Sequence, residues 1–189
     1  MKFLLQQLHR LNNSIVFYIF IPIRLNVSGF FMEKALLHTP LGNILVEGDE
    51  NGLTSLTIVT EENTITENKI PKVLETAITQ LDEYFNRNRT HFTLKLQPKG
   101  TEFQKKVWQK LLEIPFGTTI SYQQLSNQLG DSKAIRAVAN ANSKNPLWII
   151  IPCHRVIGSD GSLTGYAGGL WRKKWLLEHE NPSLQQRLF

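Results

Sequence analysis

Four residues, Gln97-Pro98-Lys99-Gly100, separate two stretches of the chain with different hydrophobic periods, and this break limits the fold more than any other feature. Proline lacks a backbone donor and glycine offers no side chain to pack, so neither a strand nor a helix pattern runs through them. Before the break, residues 43–48 and 53–59 read as strands joined by the hairpin signal Asp49-Glu50-Asn51-Gly52. Pro71 suits the first turn of a helix whose apolar positions are Val73, Leu74, Ala77, Ile78, Leu81, Tyr84 and Phe85, a core-facing stripe. Residues 91–96 then alternate like a half-buried strand. After the break the pattern is helical. Phe103, Val107, Trp108, Leu111 and Leu112 share one face of a helix ending near Pro115 and Gly117. Ser121 can cap a short helix over 122–129 that Gly130 stops, and a second helix follows over 132–143. Helix, short glycine-containing turn, helix is the helix-turn-helix arrangement, although many short helical hairpins are only structural. The expected organisation is an extension over 1–31, a small α/β domain over 32–97, and a mostly helical domain over 98–189.

The extension differs from the rest. Its stretch IVFYIFIPI is apolar but too short to span a bilayer, and Pro22 and Arg24 interrupt it. Lys2 and Arg10 resemble the basic start of a signal peptide, yet no small-x-small cleavage pattern follows. The reading is an amphipathic or disordered extension ahead of a domain that starts at Met32, with no membrane partner. Charge is unevenly spread. Residues 32–99 hold seven basic and ten acidic side chains, a net −3, whereas 100–189 hold eleven and six, a net +5. The second domain is therefore the candidate polyanion surface. Within it, Ala134, Ala137 and Ala141 recur at i, i+3 and i+7, and Arg136 is the one long side chain among them. Two readings stand: a smooth helix approaching a narrow nucleic-acid surface with Arg136 probing the base stack, or alanines packed against the core.

Cys153 is the chain's single cysteine, set in Ile149-Ile150-Ile151-Pro152-Cys153-His154-Arg155. One thiol forms no internal disulfide and cannot supply the several thiolates of most structural zinc sites, so a reducing, cytoplasmic setting and no metal are expected. The isoleucine run reads as a strand leading to the thiol. A thiol attacks as thiolate, which a nearby base or positive charge favours. His154 is adjacent, but neighbouring side chains on extended backbone face opposite ways, so a bridging water is the expected proton route. A carboxylate behind the ring would orient it, and Glu178 and Glu180 are the candidates. A buried, inert cysteine is the ordinary alternative.

The segment 151–158, IPCHRVIG, together with SYQQLSNQLG, KAIRAVANANSKNP and GSLTGYAGGLWRKKWLLEHE, resembles the methylated-DNA–protein-cysteine methyltransferases, the 6-O-alkylguanine–DNA alkyltransferases. The likeness covers residues 101–180, and TPLGNILVE near residue 40 resembles the start of that family's first domain. It implies an α/β domain followed by a winged helix-turn-helix domain. The implied activity is direct, single-turnover transfer of the alkyl group from 6-O-methylguanine, and 4-O-methylthymine, in DNA. The resemblance places the nucleophile at Cys153, its water-linked histidine at His154, the supporting carboxylate at Glu180, and the base-rotating, proton-donating tyrosine at Tyr122. It puts Arg136 in the vacated stack and Tyr122, Ala137, Asn140 and Ala141 on the DNA side, in the minor groove. Asn145 would tie the recognition helix to the active-site strand. Backbone groups of Cys153, Val156 and Ala167, with Tyr166 as a wall, would hold the flipped guanine. No cofactor is implied, the partner is double-stranded DNA carrying 6-O-alkylguanine, and a monomer is expected. The chain departs from the pattern at Trp148, where many members have a smaller residue or proline, at Ala139-Asn140 in place of a Gly-Gly pair, and in lacking zinc-binding cysteines. Two other classes remain at this stage. One is a DNA-binding regulator or a lesion binder, although such binders typically carry tryptophan at the nucleophile position. The other is a Cys–His hydrolase, which needs a second histidine among His9, His38, His91 and His179 to face the thiol.

Overall fold

The computed structural model describes residues 18–20, 26–27, 30–59 and 70–181. Most of the extension therefore lies outside the described residues, but part of it joins the first sheet. That sheet is antiparallel in the order β1 (Tyr18–Phe20), β4 (Glu33–Thr39), β5 (Gly42–Asp49), β6 (Gly52–Val59), with Ile19 opposite Leu36. Two short strands, β2 (Asn26–Val27) and β3 (Phe30–Phe31), pair with each other. The turn between β5 and β6 is closed by Asp49, whose carboxylate accepts from the Asn51 N–H at 2.8 Å, as the sequence signal suggested. Alternation sends Ile44 and Val46 of β5 inward, where they meet helix α1 (Lys72–Phe85).

Helix α1 starts directly after Pro71 and buries Leu74, Ala77, Ile78, Leu81 and Tyr84. Each apolar side chain buried in this way contributes about 1.5–3 kcal/mol. Val73 falls outside the expected stripe and is 41% exposed. Residues 91–96 alternate in burial but form no ladder. They meet β6 at a single parallel bridge, Leu53 opposite Leu96, where the Leu53 N–H donates to Lys95 O and Gln97 N–H donates to Leu53 O. Pro98, lacking a donor, ends the pairing.

Helix α2 (Glu102–Leu111) opens on a reciprocal cap between Thr101 and Gln104. Its buried face is narrower than the sequence suggested: Val107, Trp108 and Leu111 are inside, and Phe103 and Leu112 are exposed. Trp108 is the anchor. Its indole N–H donates to Ala141 O at 2.8 Å, and a Cβ on Gly100 would come within 2.5 Å of its ring, so only glycine fits there. A two-residue parallel pair, β7 (Ile120–Ser121) and β8 (Val156–Ile157), brackets the next helices. Helix α3 (Tyr122–Gln128) is capped by Ser121 with Gln124, and Gly130 turns the chain at φ +89° into helix α4 (Ile135–Ser143). Helix α5 (Leu170–Glu180) closes the described chain.

The isoleucine run is not a strand. Residues 147–151 form a tight turn, closed by Ile151 N–H to Leu147 O at 2.8 Å, and Ile149 sits at φ +75°. A β-branched residue in that region is strained, by about 1–3 kcal/mol. Asn145 holds the turn together, accepting from Leu147 N–H at 3.0 Å and donating to Ile151 O at 2.8 Å. The buried residues of both domains form one continuous core, and Trp148 bonds across it to Leu56 O of β6.

Candidate active site

The turn at 147–151 delivers Cys153 into a 3-10 turn, Cys153–Arg155, rather than onto extended backbone. Cys153 is 4% exposed and forms part of the wall of a cavity of about 310 Å³. Asn142, Ser143 and Asn145, at and just after the end of α4, line one side, and Tyr166 with Ala167 another. Trp148 and Leu56 also line it, and Trp148 meets the Tyr166 ring edge-on at 6.4 Å. Helix α4 therefore ends in the wall of the cavity that holds the thiol.

Behind the thiol lies a buried ionic cluster. His154 is fully buried, and its Nε2 lies 2.8 Å from Glu180 Oε1. If Nε2 carries the proton toward the carboxylate, Nδ1 is left as an acceptor, and it has no protein partner. Glu180 also takes a two-point contact from Arg155, with Nε 2.8 Å from Oε2 and Nη2 2.9 Å from Oε1. The Tyr84 hydroxyl reaches Oε1 at 2.9 Å and the Gly117 N–H reaches Oε2 at 3.1 Å. Gly117 makes that approach at φ +71°, a conformation glycine adopts without strain. Glu178, the other candidate, is half-buried and faces Lys174 at 3.8 Å. The cluster thus selects Glu180.

Burial alone would raise the Glu180 carboxyl, but His154 and Arg155 hold it well below the carboxylate range. Burial pushes His154 below its ordinary value, outweighing the pull of Glu180. Burial likewise pushes the Cys153 thiol up, against the opposing influence of Asn145, Lys173 and Tyr166. The resting site therefore pairs a neutral thiol with a neutral imidazole, and the proton must move during the reaction.

Lys173 is the least expected member. It is fully buried and donates to Val156 O and Thr164 O, both at 2.7 Å, with no carboxylate beside it among the described contacts. Burial pushes its ammonium down to about 8, opposed by Cys153. Its Nζ lies 5.8 Å from the centre of the Tyr122 ring. Tyr122 itself is half-buried at the start of α3. Its hydroxyl is 3.5 Å from Gly165 O and 3.4 Å from Asn142 Nδ2, and burial raises its phenol.

Of the DNA-side residues, Arg136, Ala137 and Asn140 are exposed on α4, with Ser143 and Lys144 continuing the same face. Ala141 is not among them: at 2% exposure it packs in the core beneath Trp108, so the alanine stripe is shared between surface and core. Val156 is fully buried and lines no part of the cavity, and its carbonyl accepts from Lys173. Of the other histidines, His38 bonds Asn43 and His179 bonds Tyr84 O at 2.8 Å, so neither pairs with the thiol. His9 lies outside the described residues. Among the described residues no cluster of histidine, cysteine or carboxylate side chains has a metal-binding arrangement, and no helix is long and apolar enough to cross a membrane.

Sequence reasoning missed Arg155, Tyr84, Lys173 and Asn142, whose Nδ2 lies 3.3 Å from Cys153 O. One signal was available. Lys173, Leu176, Leu177 and Glu180 follow i, i+3, i+4 and i+7, which places the lysine on the buried stripe of α5.

Comparison with known proteins agrees with the geometry. Residues 32–98 match the family model for the 6-O-methylguanine DNA methyltransferase, ribonuclease-like domain, and 102–182 match that for its DNA binding domain. A methylated-DNA–protein-cysteine methyltransferase of Methanosarcina barkeri is 46% identical over 160 residues, covering 82% of this chain and all of its own. A Mycobacterium leprae protein of the same description is 45% identical, covering 76% of this chain and 89% of its own. The Mycobacterium tuberculosis OGT in complex with DNA superposes with a TM-score of 0.70 at 41% identity, over 78% of this chain and 91% of that one.

Proposed function

The chain belongs to the 6-O-methylguanine DNA methyltransferases, and on that premise we propose that it repairs alkylated DNA by moving the alkyl group onto its own Cys153. The observation that carries this reading is the placement of a lone thiol, backed by His154 and Glu180, in a cavity at the end of a helix-turn-helix recognition helix. The substrates are 6-O-methylguanine and 4-O-methylthymine in duplex DNA. Because the target oxygen lies inside the duplex, the base is flipped out, at a cost of a few kcal/mol. The exposed face of α4 enters the minor groove, and Arg136 occupies the vacated stack. Tyr166 walls the cavity, and backbone groups at Cys153 and Ala167 hold the guanine. Val156 stands apart from that set: it lines no part of the cavity, its N–H donates to Cys153 O and its carbonyl accepts from Lys173.

The chemistry is displacement at carbon. The Cys153 sulfur bonds the methyl carbon, the carbon–oxygen bond breaks, and its electron pair stays with the purine. The thiol proton passes through one bridging water to His154 Nδ1, and Glu180 steadies the imidazolium through Nε2. Tyr122, whose hydroxyl lies beside Gly165 and Asn142 of the cavity lining, gives its proton to the departing base and regains one from solvent, while the imidazolium of His154 releases the thiol's proton to solvent. The thioether is not hydrolysed, so each molecule acts once, as a monomer. Neutral partners at rest suit this sequence, since the thiolate forms only when a substrate carbon is there to take it.

The test is Cys153→Ser on a duplex carrying one 6-O-methylguanine. Binding is expected to stay near the unmodified protein's, because α4 and the basic surface are untouched, while restoration of guanine is lost. Restoration that survives in the serine variant would refute the assignment.

A further inference from the structure

The carboxylate of the relay is held from both domains. Four of its five donors come from residues 117–155 of the helical domain, and the fifth is the hydroxyl of Tyr84, 96 residues away on α1 of the sheet domain. Tyr84 is 1% exposed, ringed by Phe85, Phe92, Phe116 and His179, and its backbone carbonyl is fixed by His179 Nε2. Packing alone would be served by phenylalanine. The hydroxyl instead lands at 2.9 Å on Oε1, the oxygen that faces His154.

We propose that Tyr84 is a positioning residue of the proton relay: by donating to Glu180 Oε1 it sets how strongly that oxygen accepts from His154, and so the basicity of the histidine. The proposal rests on reading Cys153, His154 and Glu180 as a relay, and it gives the sheet domain a part in the chemistry. A carboxylate oxygen shared among donors is a weaker acceptor for each of them. With the hydroxyl present, His154 stays a neutral acceptor at rest. Without it, Oε1 turns more fully to the ring and favours imidazolium. Tyr84 remains a donor at every working pH, because burial and the Glu180 charge both hold its phenol well above the usual value. His154 is otherwise faced by Glu180 and Lys173 from α5 and by Arg155 of its own turn, and Tyr84 by Arg155, Glu180, His179 and Tyr166.

Two changes of opposite sign test this. Tyr84→Phe removes the donor and keeps the ring, while 3-fluorotyrosine placed at 84 keeps the hydroxyl and makes it the stronger acid and donor. The readout is the ring titration of His154, followed by NMR on histidine-labelled protein without DNA and assigned with His154→Gln. The phenylalanine variant is expected to move the His154 pKa up, and the fluorotyrosine variant down, each by roughly half a pH unit or more. A purely structural role would change the melting temperature and leave both titrations in place. Two unmoved titrations, or two shifts of the same sign, would overturn the proposal. Where the phenylalanine variant does not fold, the fluorotyrosine protein decides alone. Failure of methyl transfer in the unmodified protein would instead count against the functional reading, and the titration would still report on Tyr84.

Discussion

Glu180 does two jobs that one substitution separates. It accepts from His154, and it neutralises Arg155, which is itself nearly buried. Glu180→Gln keeps the shape and removes the charge, so the guanidinium is left without a counter-ion. That is expected to cost about 3–5 kcal/mol of stability, besides slowing transfer at neutral pH with partial recovery in alkali. The pH dependence of the unmodified fold has the matching sign. Because the folded carboxyl lies below its ordinary value of 4.5, its contribution is complete above that value and is lost as the pH falls below it. Glu178→Gln touches only a half-buried pair with Lys174 and is expected to change stability by about 0.5 kcal/mol or less. Denaturant unfolding of the two variants, alongside pH–rate profiles, checks this. A damaging Glu178→Gln beside a silent Glu180→Gln would contradict the register of α5.

At the scale of elements, α4 is read by what it leaves exposed. Arg136 stands outward with Ala137 and Asn140, while Val138, Ala141 and Asn142 face in. Arg136→Ala should leave stability within about 0.5 kcal/mol, since the residue is at the surface. It is expected to slow repair of a stacked lesion about tenfold or more, because flipping costs a few kcal/mol. Reaction with the free alkylated base should hardly change. Equal losses on the two substrates, measured side by side, would remove Arg136 from the stack-filling role. These local elements were the legible part of the molecule. The cap at Ser121, the helix entry at Pro71 and the glycine turn at Gly130 all depend on near neighbours in sequence. The isoleucine run misled because β-branched residues favour strands, and only the Asn145 clamp on residues 147 and 151 bends it into a turn. Tyr84 and Arg155 stayed hidden for a related reason: their partner lies 96 and 25 residues away, and no local pattern encodes such a meeting.

At the scale of the whole molecule, one core joins the two domains, and the joints lie beside the chemistry. Leu56 of β6 accepts from Trp148 in the cavity lining, and its N–H donates to Pro146 O at 2.8 Å. Tyr84 of α1 reaches Glu180. Arg172 of α5 returns the contact, donating to Leu41 O at 2.7 Å. The sheet domain thus frames the cavity and the relay from behind, and α4 leaves the front open to DNA. With a single cysteine in the chain, covalent change at sulfur has one place to occur. The most direct test is the intact mass of the protein after mixing with an excess of duplex carrying 6-O-methylguanine, followed by peptide mapping. Each molecule should gain one methyl group, on Cys153, with one guanine restored for each protein consumed. Guanine restored in excess of protein, or restored while the mass of the protein stays unchanged, would contradict transfer to Cys153.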